Sequence, residues 1–105
     1  MPVTFTAHNR DLTLSLSGEI DHHGVRGLLR ELDQELDAVL PRSLTVDCAG
    51  VTFMDSSGIA VLLRLRQQMA ALGGELRVTG LRAQPGRVLR AAGLERLISI
   101  EYERG

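Results

Sequence analysis

The chain has 105 residues, 44% of them hydrophobic and 24% charged, with a formal net charge of −1. That is enough for one domain around one core and too little for two, and charges of mixed sign among so many apolar residues mark a folded chain rather than a disordered one. All twelve basic residues are arginine, which excludes a P-loop lysine, a Schiff-base lysine and a Ser-x-x-Lys nucleophile, and three aromatics without a basic cluster make neither a phosphate-neutralising patch nor a base-stacking platform, so no direct nucleic-acid partner is expected.

The opening "MPVTFTAHNR" has no charged segment followed by an apolar one, and no stretch approaches the roughly 18 apolar residues of a membrane span. A cytoplasmic protein without membrane association is expected. "VTFTA" and "LTLSLS" (residues 12 to 17) alternate between apolar and small polar residues. Leu12, Leu14 and Leu16 thus share one face of a strand and Thr13, Ser15 and Ser17 the other. The intervening "HNRD" is rich in turn formers and predicts an antiparallel hairpin.

From Val25, the apolar positions Val25, Leu28, Leu29, Leu32, Leu36, Val39 and Leu40 recur at spacings of three and four, which predicts an amphipathic helix stopped near Pro41. "SLTVDCA" reads as a strand, "SSGIAVLLRLRQQMAAL" as a helix ended by Gly73 and Gly74, and "ELRVTG" as another strand. Strand, helix and strand with short joins imply a right-handed parallel crossover. Residues 84 to 93 suit a further helix, with Pro85 in its first turn and Gly93 as its C-terminal cap, and "LISIEY" closes the chain as a strand. The order β-β-α-β-α-β-α-β predicts a single α/β domain with a mixed sheet and helices mainly on one face.

Cys48, the sole cysteine, lies in an apolar run and is expected as a small buried core residue in a reducing compartment. His22 and His23 are adjacent at a helix start, where neighbouring side chains point apart, and no Cys or His stands at a usual ligand spacing. No metal or cofactor is expected, and the two histidines read as solvated.

The segment with the most chemistry is "FMDSSG", residues 53 to 58, where the period of the apolar residues changes from strand to helix. Asp55, Ser56 and Ser57 are all good helix caps, and α/β proteins place their sites at such strand ends. No G-x-S-x-G elbow surrounds Ser56, and none of the three histidines has the context of a base, so a nucleophilic-serine hydrolase does not fit. Phosphorylation fits better, because a phosphoserine in a helix's first turn meets free N–H donors and the positive end of the dipole. Sequence physics does not choose between the two serines, since a helix start is uncertain by a residue.

"GEIDHHG" at residues 18 to 24 and "VTFMDSSGIAVLL" at 51 to 63, followed by "GGELRVTG" and "GLERLISI", resemble the STAS domain over nearly the whole chain, in particular the bacterial anti-sigma factor antagonists of the sporulation and general stress type. The resemblance implies a STAS domain over residues 1 to 105, regulatory and not enzymatic. It implies that Ser56 is phosphorylated by an anti-sigma factor serine kinase, that Asp55 and Asp21 flank it on the partner-binding surface, and that Ser57 is a neighbour in that surface rather than the acceptor. A PP2C-type phosphatase would reverse the mark, and the unphosphorylated form would hold the anti-sigma factor and so release a sigma factor. Self-association is left open. The other readings are a non-phosphorylated STAS scaffold subunit, in a stressosome or as the small cytoplasmic component of a lipid transporter, and, more distantly, an enzyme or nucleotide-binding protein using the Asp55 and Ser56 loop, which no Gly-rich phosphate loop supports.

Overall fold

The computed structural model describes residues 2–104. Strands β1 (Val3–His8) and β2 (Asp11–Ile20) form the hairpin, and helix α1 (Val25–Val39) leads to β3 (Ser43–Met54). Helix α2 (Ser56–Ala71), β4 (Glu75–Leu81), helix α3 (Ala83–Ala91), a single 3-10 turn (Leu94–Arg96) and β5 (Ser99–Tyr102) complete the chain. The sheet runs β1-β2-β3-β4-β5, antiparallel between β1 and β2 and parallel thereafter. Because each parallel step moves to the next strand in the same direction, right-handed crossovers put all three helices on one face.

The alternation in β2 decides which face. Leu12, Leu14 and Leu16 are buried, as are Leu44, Val46 and Cys48 of β3, and they meet Leu28, Leu32 and Leu36 of α1 and Val61, Leu65 and Met69 of α2 in one core. Thr13, Ser15, Thr45 and Asp47 lie on the other face, half-buried by the sheet alone. Burial pushes the Cys48 thiol up to about 12, with the Asp47 carboxylate adding to the effect, so the thiolate nucleophile is suppressed. Helix α1 ends where Leu40 turns left-handed (φ +47) before Pro41, and the Arg10 Nε–H donates to the Leu40 carbonyl at 2.8 Å. Gly93, left-handed at φ +73, follows the end of α3 as expected.

Three strands differ from the sequence reading. β2 and β3 both run well past "LTLSLS" and "SLTVDCA", because β3 absorbs extra residues in two bulges. Ser15 and Ser17 face Asp47 and Gly50, and Gly18 and Glu19 face Val51 and Phe53. Each bulge resets which residues face the core, and that breaks the period-2 signal. Glycine suits the first bulge, since a Cβ on Gly50 would stand 2.9 Å from the Ser17 Cβ. The final strand is also shorter than "LISIEY": Leu97 is 48% exposed after the 3-10 turn, and β5 begins at Ser99.

Helix α2 starts directly over the end of β3, with Gly58 buried on the Met54 side chain, and a Cβ there would overlap the Met54 Cγ and Sδ. Gly58→Ala is therefore expected to destabilise the fold by about 1–3 kcal/mol through overpacking. Gly27→Ala on the exposed face of α1, where a Cβ meets nothing within 4 Å, is expected to stabilise it by roughly 0.5–1 kcal/mol. Chemical denaturation of both variants tests this, and equal signs would show that the α2 start is not packed as described.

Candidate functional site

The bulges let β2 and β3 finish side by side. Ile20 pairs with Met54, and the Asp55 N–H donates to the Ile20 carbonyl at 3.1 Å. The loop beginning at Asp21 and the first turn of α2 are thereby placed against each other, although 33 residues separate His22 from Asp55.

Asp55 is the N-cap of α2 in extended conformation (φ −105, ψ −169). Its Oδ1 accepts from the Ser57 N–H at 2.8 Å and from the Ser57 hydroxyl. Its Oδ2 accepts from the His22 N–H at 3.3 Å, with the His22 Nδ1 3.6 Å away. One carboxylate thus ties the start of α2 to the loop before α1. The Ser57 hydroxyl, then the Ser57 N–H, hold the Asp55 carboxyl below its ordinary 3.8, with His22 acting in the same direction. A carboxyl lowered in the folded state contributes stability that is full above its unfolded pKa and is lost as pH falls through the lower folded value.

Asp21 turns back on its own loop. Its Oδ1 accepts from the N–H groups of His23 and Gly24, both at 3.1 Å. Gly24, the N-cap of α1, has no side chain to offer and no side chain caps the helix; where Asp21 would ordinarily serve as that cap, it instead braces the turn leading into α1. The rings of His22 and His23 are exposed, as their reading as solvated expects, but they do not point apart: their centroids lie 4.1 Å from each other at an interplanar angle of 35°, because the turn before α1 is not yet helical. The main-chain donation from His22 to Asp55 had no signal in the sequence.

The two serines differ sharply in their surroundings. Ser57 is half-buried, with both its donors on Asp55. Ser56 is exposed, and its hydroxyl makes no hydrogen bond among the described residues. Sequence reasoning also missed Gln84, whose amide pairs with the backbone of Met54 immediately before Asp55: the Met54 N–H donates to Oε1 at 2.9 Å and Nε2 donates to the Met54 carbonyl at 3.0 Å.

Apolar surface flanks the exposed serine. Phe53 is 40% exposed beside Glu19 of β2, and a groove between α1 and α2 is lined by Val25, Leu29, Ser57, Ala60 and Leu63, with Arg64 at its edge. Among the described residues no group of three or more His, Cys, Asp or Glu side chains is arranged to hold a metal ion, and no helix is long and apolar enough to cross a membrane.

The family model described as "STAS domain" matches residues 3–104. Over 93 residues the chain is 29% identical to an anti-sigma F factor antagonist of Paenibacillus polymyxa, covering 89% of this chain and 80% of that protein. The fold superposes on the anti-sigma factor antagonist SpoIIAA in its unphosphorylated form with a TM-score of 0.82 at 19% identity, over 94% of this chain and 87% of the other. It superposes on the Bacillus cell fate determinant SpoIIAA in the phosphorylated form with a TM-score of 0.73 at 19% identity, over 94% and 90% of the two chains. With strand order, capped strand-to-helix junction and family model in agreement, the chain belongs to the STAS domain family.

Proposed function

We propose that the protein is a cytoplasmic anti-sigma factor antagonist switched by phosphorylation of Ser56. Unphosphorylated, it binds a kinase-type anti-sigma factor and so frees a sigma factor for RNA polymerase. The same anti-sigma factor phosphorylates Ser56, and a PP2C-type phosphatase restores the binding form. The observation that carries this reading is the division of labour between the serines: Asp55 engages Ser57, and the Ser56 hydroxyl is left exposed at the first residue of α2. The role named for the Paenibacillus polymyxa relative and the phosphorylated form known for SpoIIAA support it.

The physical effect of the phosphate is local. It adds about −1.5 to −2 charges at the positive end of α2. Within the free domain those charges remain in water. Within a complex, the phosphate and the adjoining carboxylates of Asp55 and Asp21 would have to lose solvent together. A penalty of about 3 kcal/mol already weakens binding more than a hundredfold, so no refolding is required. The buried leucines of β2 and α1 lie on elements that Ser56 does not join.

Incubation with a kinase-type anti-sigma factor and Mg-ATP, followed by intact mass and peptide mapping, is expected to show one phosphate on the wild type and on Ser57→Ala, and none on Ser56→Ala. Phosphate on Ser57 would overturn the choice of acceptor, and no phosphate on any form would favour a scaffold role. Phosphorylation is expected to move the unfolding free energy by no more than roughly 1 kcal/mol, the scale of a helix-terminus interaction. A much larger loss in a denaturant titration would mean that the switch works by unfolding.

Asp21 provides a separate test, because its carboxylate braces its own loop and also stands in the proposed partner surface. Asp21→Asn keeps an oxygen for the His23 and Gly24 N–H groups and removes the charge. It is expected to fold with near wild-type stability while binding the anti-sigma factor more weakly or accepting phosphate more slowly. Asp21→Ala should in addition lose about 0.5–2 kcal/mol of stability with the hydrogen bonds from His23 and Gly24. Wild-type binding and phosphorylation by Asp21→Asn, with Asp21→Ala losing only stability, would leave Asp21 as a brace of its loop alone.

A further inference from the structure

We propose that Gln84 is a positioning residue for the Ser56 loop, an inference that rests on the reading of Ser56 as the acceptor. Its basis is the way β3 loses its neighbour. Pairing with β4 runs from Ser43 and Glu75 to Asp47 and Thr79 and then stops. Gly80, left-handed at φ +72, packs against Ala49 as the chain turns away toward α3. From there to Met54, β3 has β2 on one side only.

Two side chains at the start of α3 take the place of the missing strand. The Arg82 Nε–H donates to the Ala49 carbonyl at 2.8 Å. Gln84 accepts from the Met54 N–H at 2.9 Å and donates to the Met54 carbonyl at 3.0 Å. A primary amide offers one acceptor and two donors, and these two bonds fit only one orientation of it. Satisfying a free strand edge is an ordinary use for a half-buried glutamine. The position of this one gives it a further consequence, because Met54 is joined directly to Asp55, and the Met54 side chain lies under Gly58.

Met54 is therefore held from both sides, by Ile20 on β2 and by Gln84 on α3. Its peptide planes set where the Asp55 carboxylate begins and hence where the first turn of α2 presents Ser56. Phosphoryl transfer depends on the placement of the attacking hydroxyl, and small misplacements cost large factors in rate. Gln84 does not line the groove between α1 and α2.

The test compares wild type, Gln84→Met and Gln84→Glu, with kinase-type anti-sigma factor and Mg-ATP for the kinetic arm and each chain alone for amide exchange. Gln84→Met keeps the length of the side chain and loses both hydrogen bonds. It is expected to lower kcat for phosphate transfer to Ser56 roughly tenfold while KM stays close to wild type. Its amides at Met54 and Ser57 should exchange faster, with those of Leu14 and Val46 unchanged. Gln84→Glu keeps the acceptor and lacks the donor when ionised. Protection at Met54, relative to wild type at the same pH, should return as pH falls through the glutamate range and the acid again donates. A wild-type kcat in Gln84→Met, or exchange that quickens uniformly through the sheet, would overturn the proposal. If wild type itself takes no phosphate, the acceptor reading fails, and the exchange arm decides whether Gln84 holds the loop.

Discussion

The site depends on β2 and β3 ending at the same level. Without the hydrogen bond from the Asp55 N–H to the Ile20 carbonyl, the Asp21 loop and the start of α2 would be two unrelated loops. The parallel pairing brings them together only because β3 takes up its extra residues in bulges, at Gly50 and before Phe53. A regular ladder continued from Ser15 and Asp47 would place Thr52 opposite Ile20, so that Met54 and Asp55 would overrun the end of β2. The bulges are therefore part of the site's construction, as they commonly are next to functional positions.

Asp55 then converts strand geometry into side-chain geometry. A carboxylate has two oxygens, and here each serves a different element: Oδ1 caps α2 through Ser57, and Oδ2 takes the His22 N–H. Shared in this way, the carboxylate fixes Ser57 as an internal partner and leaves Ser56 as the outward residue of the turn. Asp21 does the corresponding work for the loop before α1. Asp55 is a cap and Asp21 a brace of its loop by their hydrogen bonds, so holding the backbone and carrying charge are compatible uses of the same atoms.

Much of the fold was legible because its signals are local. The leucine alternation of β2, the three-and-four spacing of α1 and the glycines after α2 and α3 each depend on neighbours a few residues away. The D-S-S-G junction was legible for the same reason, since capping is a short-range preference. The true lengths of β2 and β3 were not, because a bulge removes the alternation that reveals a strand. Nor were the contacts of His22 with Asp55 and of Gln84 with Met54, which join residues 33 and 30 positions apart through polar groups that carry no periodicity. The orientation of the Asp55 carboxylate, which distinguishes the surroundings of Ser56 from those of Ser57, had no local signal, and the expectation of Ser56 as acceptor came from the family resemblance alone.

This arrangement also explains why a charge switch would suit the domain better than a conformational one. The core is formed by the helix face of the sheet, while Ser56 projects from a helix start where the Asp55 carboxylate already takes the Ser57 N–H. A new charge there acts first on whatever approaches from outside. Exposed Phe53 and the apolar groove beside Ser57 mean that a partner covering this region would exclude water from the same surface. Under such cover the Arg64 guanidinium of the groove is already paired with Asp33 at 2.7 Å, and the neighbouring carboxylates raise the cost of an added phosphate further. The fold can remain indifferent to the modification because the energetic penalty belongs to the complex.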